Sequence, residues 1–296
     1  MSAIDLPSVW MQDLTWQEVA QYAERNRIAL VPVGSTEQHG PAGVLGVDSY
    51  VAITLAEDVA QRSGVLCTPP IWFGDSAHHS GFPGTITVRT ETLIAMVRDV
   101  CRSLARHGLD RIVLINGHKG SNLPGLTTAA RGLHEEELPG AMFVIADPLH
   151  LARHAAGQIK ETNEHHSGEL ELSQVLYRFP GKIREDRVTD AHVDFAEVFG
   201  GFVGDDLFGA APEGVEVFGG FVGDDLFGAA PEGVEVIWSG EEQRAFTPTG
   251  SFSSSLGLSA EKGRAYHDHV VAKLCEVVDW MRGYDGPVGR RSATEP

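Results

Sequence analysis

Apolar positions along the chain follow two alternating rhythms. Short continuous runs rich in β-formers stand at Ile28–Val33, Val65–Cys67, Arg111–Ile115 and Ala141–Ile145. Runs this short and this apolar, closed by Gly34, Pro69-Pro70 or Asn116-Gly117, predict strands buried on both faces. Between them lie segments of helical period. Asp48 to about Arg62 places Val51, Leu55 and Val59 on one face and stops at Gly64, and a second helix runs from Thr90-Glu91 to His107 with Gly108 after it. Further helices are predicted over about Leu123–His134, Gly168–Phe179 and Ser259–Met281, and Trp72–Gly84 reads as a loop. Strand, loop and helix repeated in this way predict an α/β fold with a mostly parallel sheet covered on both faces.

One stretch departs from that rhythm. Val198–Glu216, VFGGFVGDDLFGAAPEGVE, recurs without change at Val217–Glu235. Solenoid repeats drift in sequence and need about three copies to bury a core. Two identical copies, glycine-rich and acidic, read instead as a tandem duplication of 19 residues within one domain spanning 1–296. A surface insertion is expected over 198–235, with the second copy looping out near the rim of the active site or the periphery.

Composition narrows the function. With 42% hydrophobic residues in 296, the chain can bury a sizeable core. No apolar run reaches the ~18 residues that cross a bilayer, and Met1–Trp16 lacks the pattern of a secretory leader, so a soluble cytoplasmic protein without membrane partners is expected. The three cysteines, Cys67, Cys101 and Cys275, are too far apart for a CxxC site and sit among apolar neighbours, as small buried hydrophobes do. A net charge of −18 repels phosphate backbones, which argues against nucleic acid and leaves a small molecule as the expected partner.

Chemistry-bearing residues gather where strands end. Glu37-Gln38-His39-Gly40 follows the first strand and Asp48 opens the next helix. Residues just beyond the carboxyl ends of parallel strands share one rim, where such sheets bind ligands. Two carboxylates and an imidazole there suit Zn²⁺, Mn²⁺ or Fe²⁺. Singly, Glu37 also fits a loop acid, Asp48 a helix cap and His39 a turn; together, at one strand end, they point to a metal. Asn116-Gly117-His118 follows another strand and brings His118 to the same rim. Lys119 is not placed as in a phosphate-binding GxxxxGK[ST] loop, and neither GxGxxG nor GxSxG occurs, which counts against nucleotide binding and a serine hydrolase. Glu164-His165-His166-Ser167-Gly168-Glu169-Leu170-Glu171 adds imidazoles and acids at a helix start, enough for a further ligand and a proton carrier. His78 and His79 are candidate substrate contacts, with a mobile surface loop as the alternative.

These three segments, Val33–Gly40 with Asp48, Asn116–His118 and His166–Ser173, resemble the creatininase (creatinine amidohydrolase) family in order and spacing, from about Leu14 to Arg187. Phe82-Pro83-Gly84-Thr85 resembles the family's loop before a strand. The resemblance implies a three-layer α/β/α fold, two divalent metal ions bridged by a carboxylate and a hydroxide, and a homo-oligomer, often a hexamer. By motif, Glu37 and His118 would hold one ion, His39 the other and Asp48 both, with His166 as proton donor to the leaving group. The chain departs from the family's namesake at Gly120, where that enzyme carries a glutamate ligand; Glu171 is the expected replacement and Glu169 the reserve. Leu172 stands where the family has threonine, and the tryptophans that gate the creatinine pocket are not recognisable around His150–His165.

The implied reaction is attack of metal-activated hydroxide on a carbonyl of a small cyclic substrate, a cyclic amide or related ring. Lys119 or loop amides are expected to stabilise the oxyanion. Alternatives are opening of a cyclic polyol diketone of the inosose type, cleavage of a formamide, and a metal-binding protein without catalysis. The family's nucleotide-processing branch needs cations for a phosphate, in which this chain is poor near the motifs.

Overall fold

Four strands, β1 (Ile28–Val33), β2 (Leu66–Cys67), β3 (Arg111–Asn116) and β4 (Met142–Ala146), pair in the order β2-β1-β3-β4, and every pairing is parallel. The structure, a computed structural model, describes residues 6–160, 164–191 and 239–285. The duplicated stretch at 198–235, expected as a surface insertion, lies outside the described residues.

Alternation along the strands sorts side chains into two cores. Ile28, Leu30, Val113 and Ile115 face one; Ala29, Val31, Val33, Ile112 and Leu114 face the other. The second core is closed by α1 (Trp16–Ala23), α3 (Thr90–Arg106) and α4 (Lys119–Gly132). The first is closed by α2 (Val47–Ser63), α6 (Arg153–Ile159, after the single turn α5, Pro148–Leu151), α7 (Glu169–Arg178) and α9 (Ala260–Gly283). A further short helix, α8 (Gly240–Phe246), packs beside the Ala77–His79 turn. Leu30, Leu55, Ile112 and Leu114 are fully buried, and each stabilises the fold by about 1.5–3 kcal/mol relative to exposure. This is the α/β/α architecture the resemblance implies.

Two local expectations need correction. The fourth helix begins at Lys119, not Leu123, although Gly120, Asn122 and Pro124 weaken helical propensity there. Tertiary contacts override propensity: the buried Asn122 side chain donates to Gly34 O at 3.0 Å and accepts Asp75 N–H at 2.9 Å. Phe82–Thr85 leads into a single antiparallel bridge, Thr36 with Ile86, and no strand. Cys67 and Cys101 are buried free thiols, and no helix among the described residues is long and apolar enough to cross a membrane.

Candidate metal centre

In-register pairing ends with Val33 beside Asn116, so the loops after β1 and β3 leave the sheet side by side. Glycines let the first turn of α2 press against both. A Cβ on Gly34 would lie 2.4 Å from Ser49 Cα, and one on Gly117 would lie 2.1 Å from the Asp48 carbonyl oxygen. Only a residue without a side chain permits that approach. Asp48 thereby enters the rim between the loop that carries Glu37 and His39 and the one that carries His118.

The side chains converge. Asp48 Oδ1 lies 3.1 Å from His39 Nε2, and its Oδ2 lies 3.3 Å from His118 Nδ1. Glu37 Oε1 is 3.4 Å from His118 Nδ1 and 3.7 Å from His166 Nδ1. Glu171 Oε1 approaches His39 Nε2 at 3.6 Å. Three groups of donor atoms lie within 4.8 Å of one another: Glu37–Asp48–His118, His39–Asp48–Glu171 and Glu37–His39–His166. Asp48 belongs to two of them, one oxygen toward each.

These residues fit a cation. Glu37 Oε1 and Asp48 Oδ2 are buried and have no hydrogen-bond partner, a costly state for carboxylate oxygens unless something positive faces them. Burial pushes the Glu37 carboxyl up to about 7 against the pull of His118 and His39. Burial acts the same way on Asp48, but the neighbouring His39 and His118 charges outweigh it and hold its pKa far below the usual range. Burial alone would lower His118; the Glu37 and Asp48 carboxylates instead raise it to about 9. The cluster thus balances buried negative charge with protons on imidazoles, and a divalent ion would replace those protons. Mixed carboxylate and imidazole donors suit Zn²⁺, Mn²⁺ or Fe²⁺.

Surrounding groups hold the donors in place. Ser76 Oγ donates to Glu37 Oε2 at 2.5 Å and shares a short hydrogen bond with Ser35, leaving Oε1 to face the centre. Ser167 is the one non-glycine residue with left-handed backbone (φ 58°) among the described residues; its N–H donates to Glu171 Oε2 at 2.7 Å and its Oγ to His39 O at 2.7 Å. Glu164 accepts the N–H groups of Leu170 and Glu171 at 2.9 and 3.1 Å, fixing the start of α7, and its burial pushes its carboxyl up to about 8. Glu169 pairs with Lys262 at 2.5 Å, so it is Glu171 that reaches the centre.

The other candidates divide. His78 and His79 are both buried, which corrects the surface-loop alternative. His79 Nε2 lies 3.3 Å from Glu37 Oε1 and lines the cleft, whereas His78 bonds Ser121 Oγ at 3.2 Å and does not line it. Lys119 opens α4, but its side chain lies outside the described set. The cleft is lined by Asn116, His118, Asp147, Glu164, His166 and Glu171 among others, with no arginine or lysine among its described lining residues. Sequence reading gave no role to Ser76, Asn122 or Gln243, all buried and polar. Glu164 was named as part of the acid and histidine cluster, but without its role of fixing the start of α7.

Known proteins resemble this chain beyond the Leu14–Arg187 stretch that carries the motifs. The family described as Creatininase: Creatinine amidohydrolase matches residues 12–278. Creatinine amidohydrolase of Pseudomonas putida is 32% identical over 199 residues, covering 62% of this chain and 76% of that protein. A 3-dehydro-scyllo-inosose hydrolase of Thermotoga maritima is 34% identical over 111 residues, 37% of this chain and 36% of that one. A mycofactocin precursor peptide peptidase of Mycolicibacterium smegmatis is 31% identical over 167 residues, 54% of this chain and 62% of that one. Among solved structures, a mutant creatininase of the Zn-Zn type superposes with TM-score 0.69 at 25% identity, over 92% of this chain and 98% of that one. A manganese creatininase gives TM-score 0.66 at 25% identity, over 92% and 97%.

Proposed function

The chain belongs to the creatininase family, whose members are metal-dependent hydrolases, and from that premise we propose that it uses two divalent cations, Zn²⁺, Mn²⁺ or Fe²⁺, to hydrolyse a small cyclic substrate at a carbonyl carbon. The observation that carries this reading is the division of Asp48, one oxygen in each of two donor groups. Glu37, Asp48 and His118 would hold one cation; His39, Asp48 and Glu171 the other. Such a pair supplies Lewis acidity toward a carbonyl and a water acidic enough to attack near neutral pH.

The chain's own groups do the rest. His166, beside Glu37 and with its ring tilted against His39 at 4.5 Å between centroids, is the proton carrier to the leaving group. Its burial, and that of His79, excludes bulk water from the reacting face. Asp147 on the cleft wall, with no arginine or lysine among the described lining residues, disfavours phosphate or carboxylate substrates and favours a neutral ring bearing N–H or O–H donors. A cyclic amide meets that description. A cyclic polyol diketone meets it equally, and the similarity to the inosose hydrolase supports this second reading. A cytoplasmic homo-oligomer completes the proposal, tested by fractionation and sedimentation.

The experiment is metal removal by chelation, reconstitution with each cation, and assay against creatinine, a formamide, a cyclic diketone and a short peptide. Activity that disappears with the metal and returns on a ring substrate supports the reading. Turnover in stripped protein rejects it, and stoichiometric metal uptake without turnover of any compound favours a non-catalytic binder.

A further inference from the structure

Gln38 lies between Glu37 and His39, yet its side chain turns away from both. Its Oε1 accepts the N–H of Gly40 at 2.9 Å, and its Nε2 donates to the Gly250 carbonyl at 2.9 Å. Backbone partners at both ends therefore fix which terminus is oxygen and which is nitrogen. The second Nε2 hydrogen has two imidazole nitrogens within reach, His79 Nδ1 at 2.9 Å and His166 Nε2 at 3.0 Å.

The backbone carbonyl of Gln38 decides between them. It stands 2.8 Å from His166 Nε2, which is a hydrogen bond only if that nitrogen carries the proton. A protonated Nε2 cannot also accept from the amide, so the amide hydrogen goes to His79 Nδ1. Gln243, on α8, directs its own Nε2 to the same atom at 2.7 Å. Both constraints give the same tautomer with opposite consequences. His79 carries its proton on Nε2, which faces Glu37 Oε1 at 3.3 Å. His166 also carries its proton on Nε2, but there it is spent on the Gln38 carbonyl, and the Nδ1 lone pair faces the same Glu37 oxygen at 3.7 Å. The two rings stack with centroids 4.2 Å apart.

We infer that Gln38 is a positioning residue that locks both tautomers, so that His79 presents an N–H and His166 a lone pair to the centre. The tautomers follow from hydrogen bonding alone; their catalytic consequence rests on the proposed hydrolase. In that reaction His166 acts first as acceptor. The attacking water gives a proton to Nδ1 as its oxygen bonds the carbonyl carbon, and Nδ1 returns that proton to the leaving group as the scissile bond breaks.

The test uses the zinc-loaded protein with ¹⁵N-labelled histidine and two-bond ¹H–¹⁵N correlation spectra, assigned with His79→Gln and His166→Gln. The wild type should show N–H at Nε2 and a bare Nδ1 for both rings. Gln38→Glu keeps the shape but turns one donor into an acceptor, and combined with Gln243→Leu, which removes the other donor, it should move the His79 proton to Nδ1. Turnover of whichever carbonyl compound the enzyme accepts should fall by on the order of 10²-fold, with KM changed less than about twofold. A wild-type spectrum with the proton on Nδ1 of either ring overturns the inference whether or not the variant folds. A His79 proton still on Nε2 in the folded Gln38→Glu, Gln243→Leu double variant overturns it as well. The spectra need no substrate, so a failed hydrolase assay leaves this result standing on its own.

Discussion

Gly117→Ala tests whether the centre depends on the close approach of two backbones. The added Cβ would sit 2.1 Å from the Asp48 carbonyl oxygen, where real contacts begin near 3.0 Å, so the loop after β3 must retreat from α2 by about 0.9 Å. His118 is the next residue and moves with it, stretching its 3.3 Å approach to Asp48 beyond 4 Å. Overpacking of this kind costs about 1–3 kcal/mol, a fall of roughly 2–12 °C in melting temperature for a chain of this size. Misplacement by about 1 Å costs on the order of 10²-fold in activity. Gly157→Ala is the control, because its Cβ meets nothing within 4 Å. Calorimetry, chelator competition and turnover are measured on both. Wild-type melting and metal affinity in Gly117→Ala would refute the reasoning.

Glu171→Gln should weaken metal binding by more than the ~10–100-fold typical of groups that only support a ligand, measured by titration calorimetry. Glu169→Gln should leave affinity near wild type but lower stability measured by denaturant unfolding, since it removes the buried charge that pairs with the Lys262 ammonium. Asp48→Asn should lose at least one equivalent of metal and nearly all activity while the circular dichroism spectrum is unchanged; full occupancy would reject its shared role. The Arg102 and Arg98 side chains bonding Glu137 hold its carboxyl down to about 2. A lowered native pKa contributes stability above the unfolded value of 4.5 that is lost as pH falls toward 2. The melting temperatures of wild type and Glu137→Gln should therefore differ at pH 7 and converge by about pH 2; a constant gap would contradict the pairing.

What the sequence discloses follows from where physics is periodic. Ile28–Val33 and Arg111–Asn116 are legible because both faces are buried, and both faces are therefore apolar. Glu37, His39 and His118 are legible because they stand immediately after those runs, and a parallel sheet brings its strand ends together. Apolar rhythm is silent on α1 and α8, which are too short to repeat it; their capping boxes, Thr15 with Glu18 and Ser239 with Glu242, were the available signals. Gln38, Ser76 and Gln243 were illegible as supports. Each is a buried polar side chain with a partner at least 39 positions away, and no local pattern encodes such a pairing. The choice of Glu171 over Glu169 needed helix phase, since two residues apart on α7 point to different sides.

The most direct measurement is anomalous diffraction from crystals grown with Mn²⁺. Two peaks about 3.5–4 Å apart, with Asp48 between them, Glu37 and His118 on one and His39 and Glu171 on the other, are the predicted result. A single peak, or peaks held by other residues, would contradict the account.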